Sequence, residues 1–539
     1  VSGLNADRIP AGAVSPWAPF GERAFAVLWL ATVVSNIGTW MNDVGSGWLM
    51  TTLTPDPFMV ALVQAATTAP IFLLALPAGA VADIVDRRKL LLTVSLLMTA
   101  TASALAALVA LERMTIGLLL GFTFLLGAGA AFVAPAWQAI VPQLVPRAKL
   151  APAIALNSMG INVSRAIGPA LAGVLIVALG IAAPFALNAL SFISIVAALA
   201  WWRGESAKAS LLPPEHIGEA MQNGLRYAWH SAPLRDTLVR AAAFFLFASA
   251  YWALLPVIAK TSLQGDARVY GVLLGCVGAG AVLGAILLPK IRPRLGPDRT
   301  VAVGTLGTSV VLGVFALAAD VYVAAAASLL AGMSWIFVLS SFQVSAQTAL
   351  PNWVRARGLS LFLTVFFGAM TLGSVVWGKL AAEFGIPVAL LAAGGGALLT
   401  IPLTRRFKLN QGETLDLAPS LHWPAPVIAF DEAPDRGPVM TLIEYEIART
   451  DLADFFHLME KLSRARRRNG AVQWGLMEDA KHPGRFTEYF REASWLTHLR
   501  HHERVTSADR AIQESIWALH RGDASPIVRH YLAPDPETT

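Results

Sequence analysis

Apolar runs of about twenty residues or more follow one another through the first 406 positions, separated by short polar breaks. A helix needs about 20 such residues to cross the hydrocarbon of a bilayer. A soluble core does not produce so many spans in series, so the chain is expected to fold in lipid. Composition agrees: of 539 residues 55% are hydrophobic and only 14% charged, where a soluble domain carries about 25% charged. The mean hydropathy is +0.58. The net charge of +6 is modest and its Lys and Arg sit in alternate loops, a pattern of membrane orientation and not of nucleic-acid binding. The single cysteine, Cys276, lies in an apolar run, so no intrachain disulfide and no redox site is implied. Val1 to Gly21 is polar and lacks a basic, apolar and cleavage pattern, so no cleavable signal peptide is expected.

The spacing predicts spans at 23–50, 58–82, 90–111, 116–141, 151–179, 182–202, 237–259, 269–289, 300–319, 321–348, 357–384 and 386–404. One set of alternate loops holds Arg87, Arg88 and Lys89, then Arg147 and Lys149, then Lys290, Arg292, Arg294 and Arg299, then Arg355 and Arg357. The opposite set holds only Arg113, Lys260 and Arg268. The positive-inside bias then puts both termini in the cytoplasm, as an even number of spans requires. The chain also repeats weakly, with Pro142 to Leu150 opening the fifth span as Pro351 to Leu359 opens the eleventh. The expected plan is a segment 1–22, a six-helix bundle 23–202, a linker 203–236, a second bundle 237–406, a linker 407–438 and a domain 439–533. Within the first linker, Ile217, Met221, Leu225 and Ala228 recur at helical spacing, which reads either as a helix on the inner membrane face or as a plain polar linker.

The loop from Gly79 to Lys89 joins a small residue, an acid four positions on and a basic cluster. Glycine permits close helix approach, and the arginines stay where positive charge is favoured. With Gly79, Asp83, Arg87 and Arg88 it resembles the loop signature of the major facilitator superfamily, although Ile84 and Asp86 stand where that family usually has Arg and Gly. Gly168, Pro169 and Gly173 are similar to the G-P-x-x-G motif of antiporters in that superfamily. The implied fold is an all-α membrane protein of twelve helices in two pseudo-symmetric halves of six.

Polar side chains within a span face a cavity, a partner or an interface. Asn36, Trp40, Asp43 and Gly47 share one face of the first span. Asp43 reads either as a proton carrier or as a wetted group near the outer end of its helix. Ser158, Asn162, Arg165 and Pro169 share a face of the fifth span, where Arg165 suits an anionic substrate, a carboxylate partner or a gate. Gln64, Trp137, Gln138, Ser340, Gln343 and Gln347 add neutral hydrogen-bonding groups, and Tyr251 and Trp252 add stacking surfaces. Singly these read as interhelical packing, and together as an amphiphilic cavity with few charges. The fourth span lacks a basic residue, which departs from the relay of many drug antiporters. The glycines from Gly271 to Gly284 read as close packing, and no G-x-x-x-x-G-K-[ST] phosphate loop occurs.

After residue 438 the pattern changes to β-α-β-β-α-α-β, which suggests a ferredoxin-like α+β unit. Pro483 to Phe490 and Trp495 to His502 carry a resemblance to the small domains related to antibiotic-biosynthesis monooxygenases, which often self-associate through the sheet. His498, His501 and His502 fall on one helix face, which reads as a metal site or as a polar helix surface. No cysteine or obvious carboxylate completes the set, so neither metal nor cofactor is expected.

The chain as a whole resembles the enterobactin-exporter-like, transmembrane secretion effector group of the superfamily. The resemblance implies a non-enzymatic, proton-coupled exporter of a siderophore-like or antibiotic-like molecule in the bacterial inner membrane. Its partners would be that molecule, protons, lipid and, through the tail, a second copy of the chain, with no nucleic acid. A nutrient symporter and a tethered enzyme or sensor are the alternatives. On this reading Asp43 carries the proton, Arg165 meets substrate or gates, and Asp83 with Arg87 and Arg88 latches the inner gate.

Overall fold

The structure is a computed structural model and describes residues 15–202, 217–351, 353–409, 415–420, 422–423, 436–522 and 525–534. It forms two compact units: Val1–Leu211 with Ala241–Ser341 and Leu363–Arg405, and Leu212–Arg240 with Phe342–Phe362 and Arg406–Thr539.

Helices dominate the first unit because its apolar residues run all the way round each segment, as lipid requires. They are α1 (Arg23–Leu53), α2 (Pro57–Ile84), α3 (Arg87–Ala110), α4 (Ile116–Leu144), α5 (Leu150–Leu179) and α6 (Ala182–Trp201). Beyond α7 (Ile217–His230) come α8 (Ala232–Val257), α9 (Ala267–Leu317), α10 (Val321–Thr348), α11 (Arg355–Phe384) and α12 (Ile386–Leu403). Short polar side chains start these helices. The Asp56 carboxylate accepts from the Phe58 amide at 2.9 Å, and that of Asp266 from the Arg268 amide at 2.9 Å. Asp86 does the same for α3, accepting from the Lys89 amide at 2.8 Å. That cap gives a physical reason for an acid at a position where the loop signature has glycine.

Eleven helices among the described residues are long and apolar enough to cross a membrane. The separate spans expected at 269–289 and 300–319 lie within α9, a single run of 51 residues interrupted at Gly296, whose φ of 72° is left-handed. Only glycine adopts that conformation readily, so the chain turns there without a loop.

Small residues draw α5 and α9 together. A Cβ on Gly278 would lie 2.6 Å from the Ala166 Cα, and one on Gly271 would lie 2.7 Å from the Pro169 carbonyl oxygen. A Cβ on Gly173 would lie 2.7 Å from the Ala267 oxygen, and on Gly168 2.6 Å from the Trp40 Cβ. Pro169 and Gly173 thus form a backbone-to-backbone seam with α9, while Gly168 packs on α1.

The second unit contains β1 (Val439–Glu446), α13 (Leu452–Asn469), β2 (Gln473–Glu478), β3 (Arg485–Glu492), α14 (Trp495–Arg504), α15 (Ser507–Leu519) and β4 (Ile527–Leu532). The sheet order is β2-β3-β1-β4 and every pairing is antiparallel. This four-stranded arrangement is compatible with the ferredoxin-like expectation. Alternate residues of β1 and β3 face the helices, where Tyr445, Phe455, Leu462, Phe486, Phe490 and Ile516 form the core.

Two expectations change here. Within the stretch read as a linker, Ser420 donates its amide to the Val505 oxygen at 2.9 Å and the Trp423 indole donates to Gln513 at 3.0 Å, so these residues belong to the tail's packing. The stripe on α7 also divides: Ala228 is buried but Leu225 is 51% exposed, and the side chains of Ile217 and Met221 lie outside the described residues. The buried face of α7 is instead set by Tyr227, whose hydroxyl donates to the Ala349 oxygen at 2.9 Å. Arg226 donates to the Gly470 oxygen at 3.0 Å, and Arg504 lies 4.3 Å from the Trp353 ring centre. Through these contacts α7 and the segment before α11 pack on the tail domain.

Candidate functional site

A cavity of about 260 Å³ lies within the first unit. Its polar lining comes from Trp40 and Asp43 on α1, Gln64 on α2, Arg165 on α5, Trp252 on α8 and Tyr270 on α9. Trp335, Phe366 and Met370 supply much of the apolar lining. Asp43 stands ten residues before Leu53, the last residue of α1, hence about 15 Å in from that helix end. Asp43 and Arg165 are the only charged side chains among the described lining residues.

Each lining group is held from behind. The Arg165 guanidinium lies 5.5 Å from the Trp40 ring centre, on the α1 turn that contacts Gly168. Trp252 and Trp335 meet edge-to-face at 5.3 Å, and Trp335 and Phe366 at 6.0 Å. Arg165 Nε and Trp252 Nε1 are buried and, among the described residues, have no hydrogen-bond partner. Two unsatisfied donors beside aromatic surfaces suit a ligand rich in acceptor oxygens and flat apolar faces.

Of the residues read from sequence, Trp40, Asp43, Gly47, Gln64, Arg165 and Trp252 meet at this cavity. Asn36 and Asn162 are half-buried and away from the lining, and the Asn162 amide donates to the Ser158 oxygen at 2.9 Å. Gln138 is exposed, as are Gln343 and Gln347, which belong to the second unit. Sequence reasoning passed over Trp335, Phe366 and Tyr270, since a lone aromatic in an apolar helix carries no sign of where it points.

Of the loop motif, the structure describes Arg88 most fully. Arg88 donates to the Leu199 and Ala200 oxygens at 3.0 Å each, satisfying carbonyls at the end of α6. Gly79 is half-buried near the end of α2, Arg87 lies in the first turn of α3, and the Asp83 side chain is outside the described residues. Contacts between the two halves include three others among the described residues. Lys260 Nζ donates to the Thr51 oxygen at the end of α1, Thr68 and Thr371 hydroxyls meet at 2.7 Å, and a Cβ on Gly378 would strike Ala61.

The tail histidines are not a polar helix surface. His498 and His501 are buried, and a carboxylate lies beside them. His498 Nδ1 and His501 Nδ1 each sit 2.5 Å from a different oxygen of Glu492, the last residue of β3. Burial alone would raise the Glu492 pKa, but the two imidazoles donating to it hold the carboxyl well below the usual range. His501 turns inward between Trp423 and Phe490, whereas His498 faces His502 and His530. Burial, then the adjacent His498 and His501 rings, push His502 down to about 3.

A lipid-crossing helical bundle around a charged, aromatic cavity has close counterparts among solved carriers. The nucleoside transporter NupG aligns with a TM-score of 0.61 at 11% identity, over 71% of this chain and 99% of that one. The protein shares that fold, and the family match over nearly its whole length makes it a membrane transporter of the major facilitator type. It belongs to the transmembrane secretion effector family, which it matches over residues 14–538. Its curated relatives include the enterobactin exporter EntS of Shigella boydii, 26% identical over 390 residues, covering 70% of this chain and 90% of that protein. The staphyloferrin A transporter of Staphylococcus aureus is 25% identical over 264 residues, 48% of this chain and 65% of that protein, so the chain spans less than two thirds of that relative. The chain is thus related to transporters named for the siderophores enterobactin and staphyloferrin A, and its eleven candidate spans make it a multi-pass membrane protein.

Proposed function

We propose that the protein is a proton-coupled secondary transporter that exports an amphiphilic, oxygen-rich small molecule of siderophore type across the bacterial inner membrane. The observation that carries this reading is the presence of one carboxyl, Asp43, and one guanidinium, Arg165, as the charged groups of a cavity lined otherwise by aromatic, aliphatic and a few neutral polar side chains. A carboxyl surrounded by apolar side chains is a group that can load and release a proton. The guanidinium, with its spare Nε–H, suits an anionic or carbonyl-rich cargo. The relatives' cargoes, siderophores by their names, supply the class.

Transport proceeds by alternating access between two halves of six helices. Counted as two crossings at the Gly296 break, α9 makes the total twelve, and the positive-inside bias then sets both termini in the cytoplasm. On that orientation the contacts at Thr51 and Gly378 close the outer end, while the Thr68–Thr371 bond lies at the depth of the cavity, so the cavity is poised toward the cytoplasm. A cargo larger than about 260 Å³ enters as the halves part on the inner side. The tail acts as a ferredoxin-like accessory domain and not as an enzyme.

The test is uptake of enterobactin, with staphyloferrin A as a second cargo, into inverted vesicles under an imposed pH gradient. Wild type should accumulate at least one of them in response to the gradient, and Asp43→Asn should lose that response. A variant that responds like wild type removes Asp43 from the coupling step.

A further inference from the structure

We propose that the tail domain carries a divalent transition-metal site built from His498, His502 and His530. This inference is independent of the transport reading. His498 and His502 are one turn apart on α14, and their Nε2 atoms lie 3.2 Å from each other. His530 comes from β4, where it is registered opposite Thr441 of β1. Its ring centre is 4.8 Å from that of His498. One ring nitrogen from each of the three lies within 4.8 Å of the others.

Three features fit this cluster to a metal. First, metal–nitrogen bonds of about 2.0–2.1 Å at tetrahedral angles put ligand nitrogens about 3.3 Å apart. The His498–His502 pair already has that spacing. His530, exposed on a strand at the sheet edge, closes the remaining gap by side-chain rotation. Second, Glu492 Oε2 accepts from His498 Nδ1 at 2.5 Å. That bond assigns the proton to Nδ1 and leaves the Nε2 lone pair facing the cluster, as a carboxylate behind a metal-bound imidazole does. His501, on the other oxygen, fixes the carboxylate in place.

Third, the cluster is unsatisfied without a cation. Two Nε2 atoms at 3.2 Å require a proton between them, and with His498 protonated at Nδ1 that proton belongs to His502 Nε2. His502 Nδ1 is then a buried lone pair with no partner among the described residues. A cation in place of the shared proton engages both Nε2 atoms. The displaced proton moves to His502 Nδ1, beside the Trp423 ring, which stands at 77° to the imidazole with centres 4.7 Å apart.

Three imidazoles without thiolate select a borderline cation such as Zn²⁺, Co²⁺ or Ni²⁺ over Mg²⁺ or Ca²⁺. The exposed side at His530 leaves a fourth position for water or an exchangeable ligand. Sequence reading placed His501 in the set and missed His530, because a strand 28 residues further on (His530 against His502) has no periodic relation to the helix.

The experiment uses full-length protein in detergent, purified on a histidine-free tag and stripped with chelator. Zn²⁺ is titrated by calorimetry and Co²⁺ by its visible absorption, against wild type, His530→Ala and His502→Ala. Wild type should take up one equivalent with a tetrahedral Co²⁺ spectrum, and both variants should bind at least tenfold more weakly. His530 is exposed, so its replacement leaves the fold intact. No uptake by wild type, or uptake unchanged in both variants, overturns the site.

Discussion

Asp509 is 4% exposed in its side chain, yet it is held as a carboxylate. Burial alone would raise its pKa, but the Arg468 guanidinium that pairs with it, and the Asn469 amide donating at 3.2 Å, hold it below the usual range. Arg468 lies in turn 5.7 Å from the Tyr227 ring centre, so the pair also supports α7. Because the folded-state pKa is depressed, the stabilisation is complete above the unfolded value of about 4 and is lost as pH falls through the lower folded value. Removing one member of a buried pair costs roughly 3–5 kcal/mol. Asp509→Ala should therefore unfold earlier than wild type at pH 7, by tryptophan fluorescence in detergent, and the gap should close as the solution is acidified below about pH 4. An equal gap at every pH would mean that the charge is not what matters. The capping box of Thr506 and Asp509, which the structure contains, was open to reading in the sequence though passed over there. The pairing with Arg468 was not, because nothing local ties a helix start to an arginine 41 residues earlier.

The α5–α9 seam is where two elements touch by backbone, at Ala166 with Gly278 and at Pro169 and Gly173 with Gly271. Seams of this kind let one helix roll on another with no side chains to unlock. Gly278→Leu forces the helices apart at a cost of about 1–3 kcal/mol. It should reach the membrane at normal levels, by immunoblot, and lose at least tenfold in vesicle transport. Full transport would show that the halves do not turn on this seam. The crossing helices were legible because apolar runs of this length have few other solutions. Gly296 was not read as the division of α9, since the basic residues around it look like an ordinary loop. The order of strands and helices in the tail was legible from its alternation, whereas the docking of residues 415–423 was hidden by a composition typical of linkers.

At the scale of the whole molecule, the family match extends from residue 14 to residue 538 and so takes in the tail. The aligned share of the nucleoside carrier NupG is nearly all of that chain but 71% of this one. The tail is thus additional to the carrier fold, and its removal asks what it adds. A chain ending at Arg406 should insert and should retain gradient-driven uptake in inverted vesicles. Complete loss of uptake, with insertion intact, would make the tail part of the transport cycle. The cavity itself was only half legible: the charged pair stands out in apolar helices, but its aromatic wall exists only once seven helices converge. One consequence belongs to α7, which buries Tyr227 and leaves Leu225 and, at 77%, Trp229 uncovered. Such a greasy pair is suited to the headgroup level of a bilayer. In a lipid-free preparation it faces water, and clumping of the purified molecule will begin on that edge of the linker.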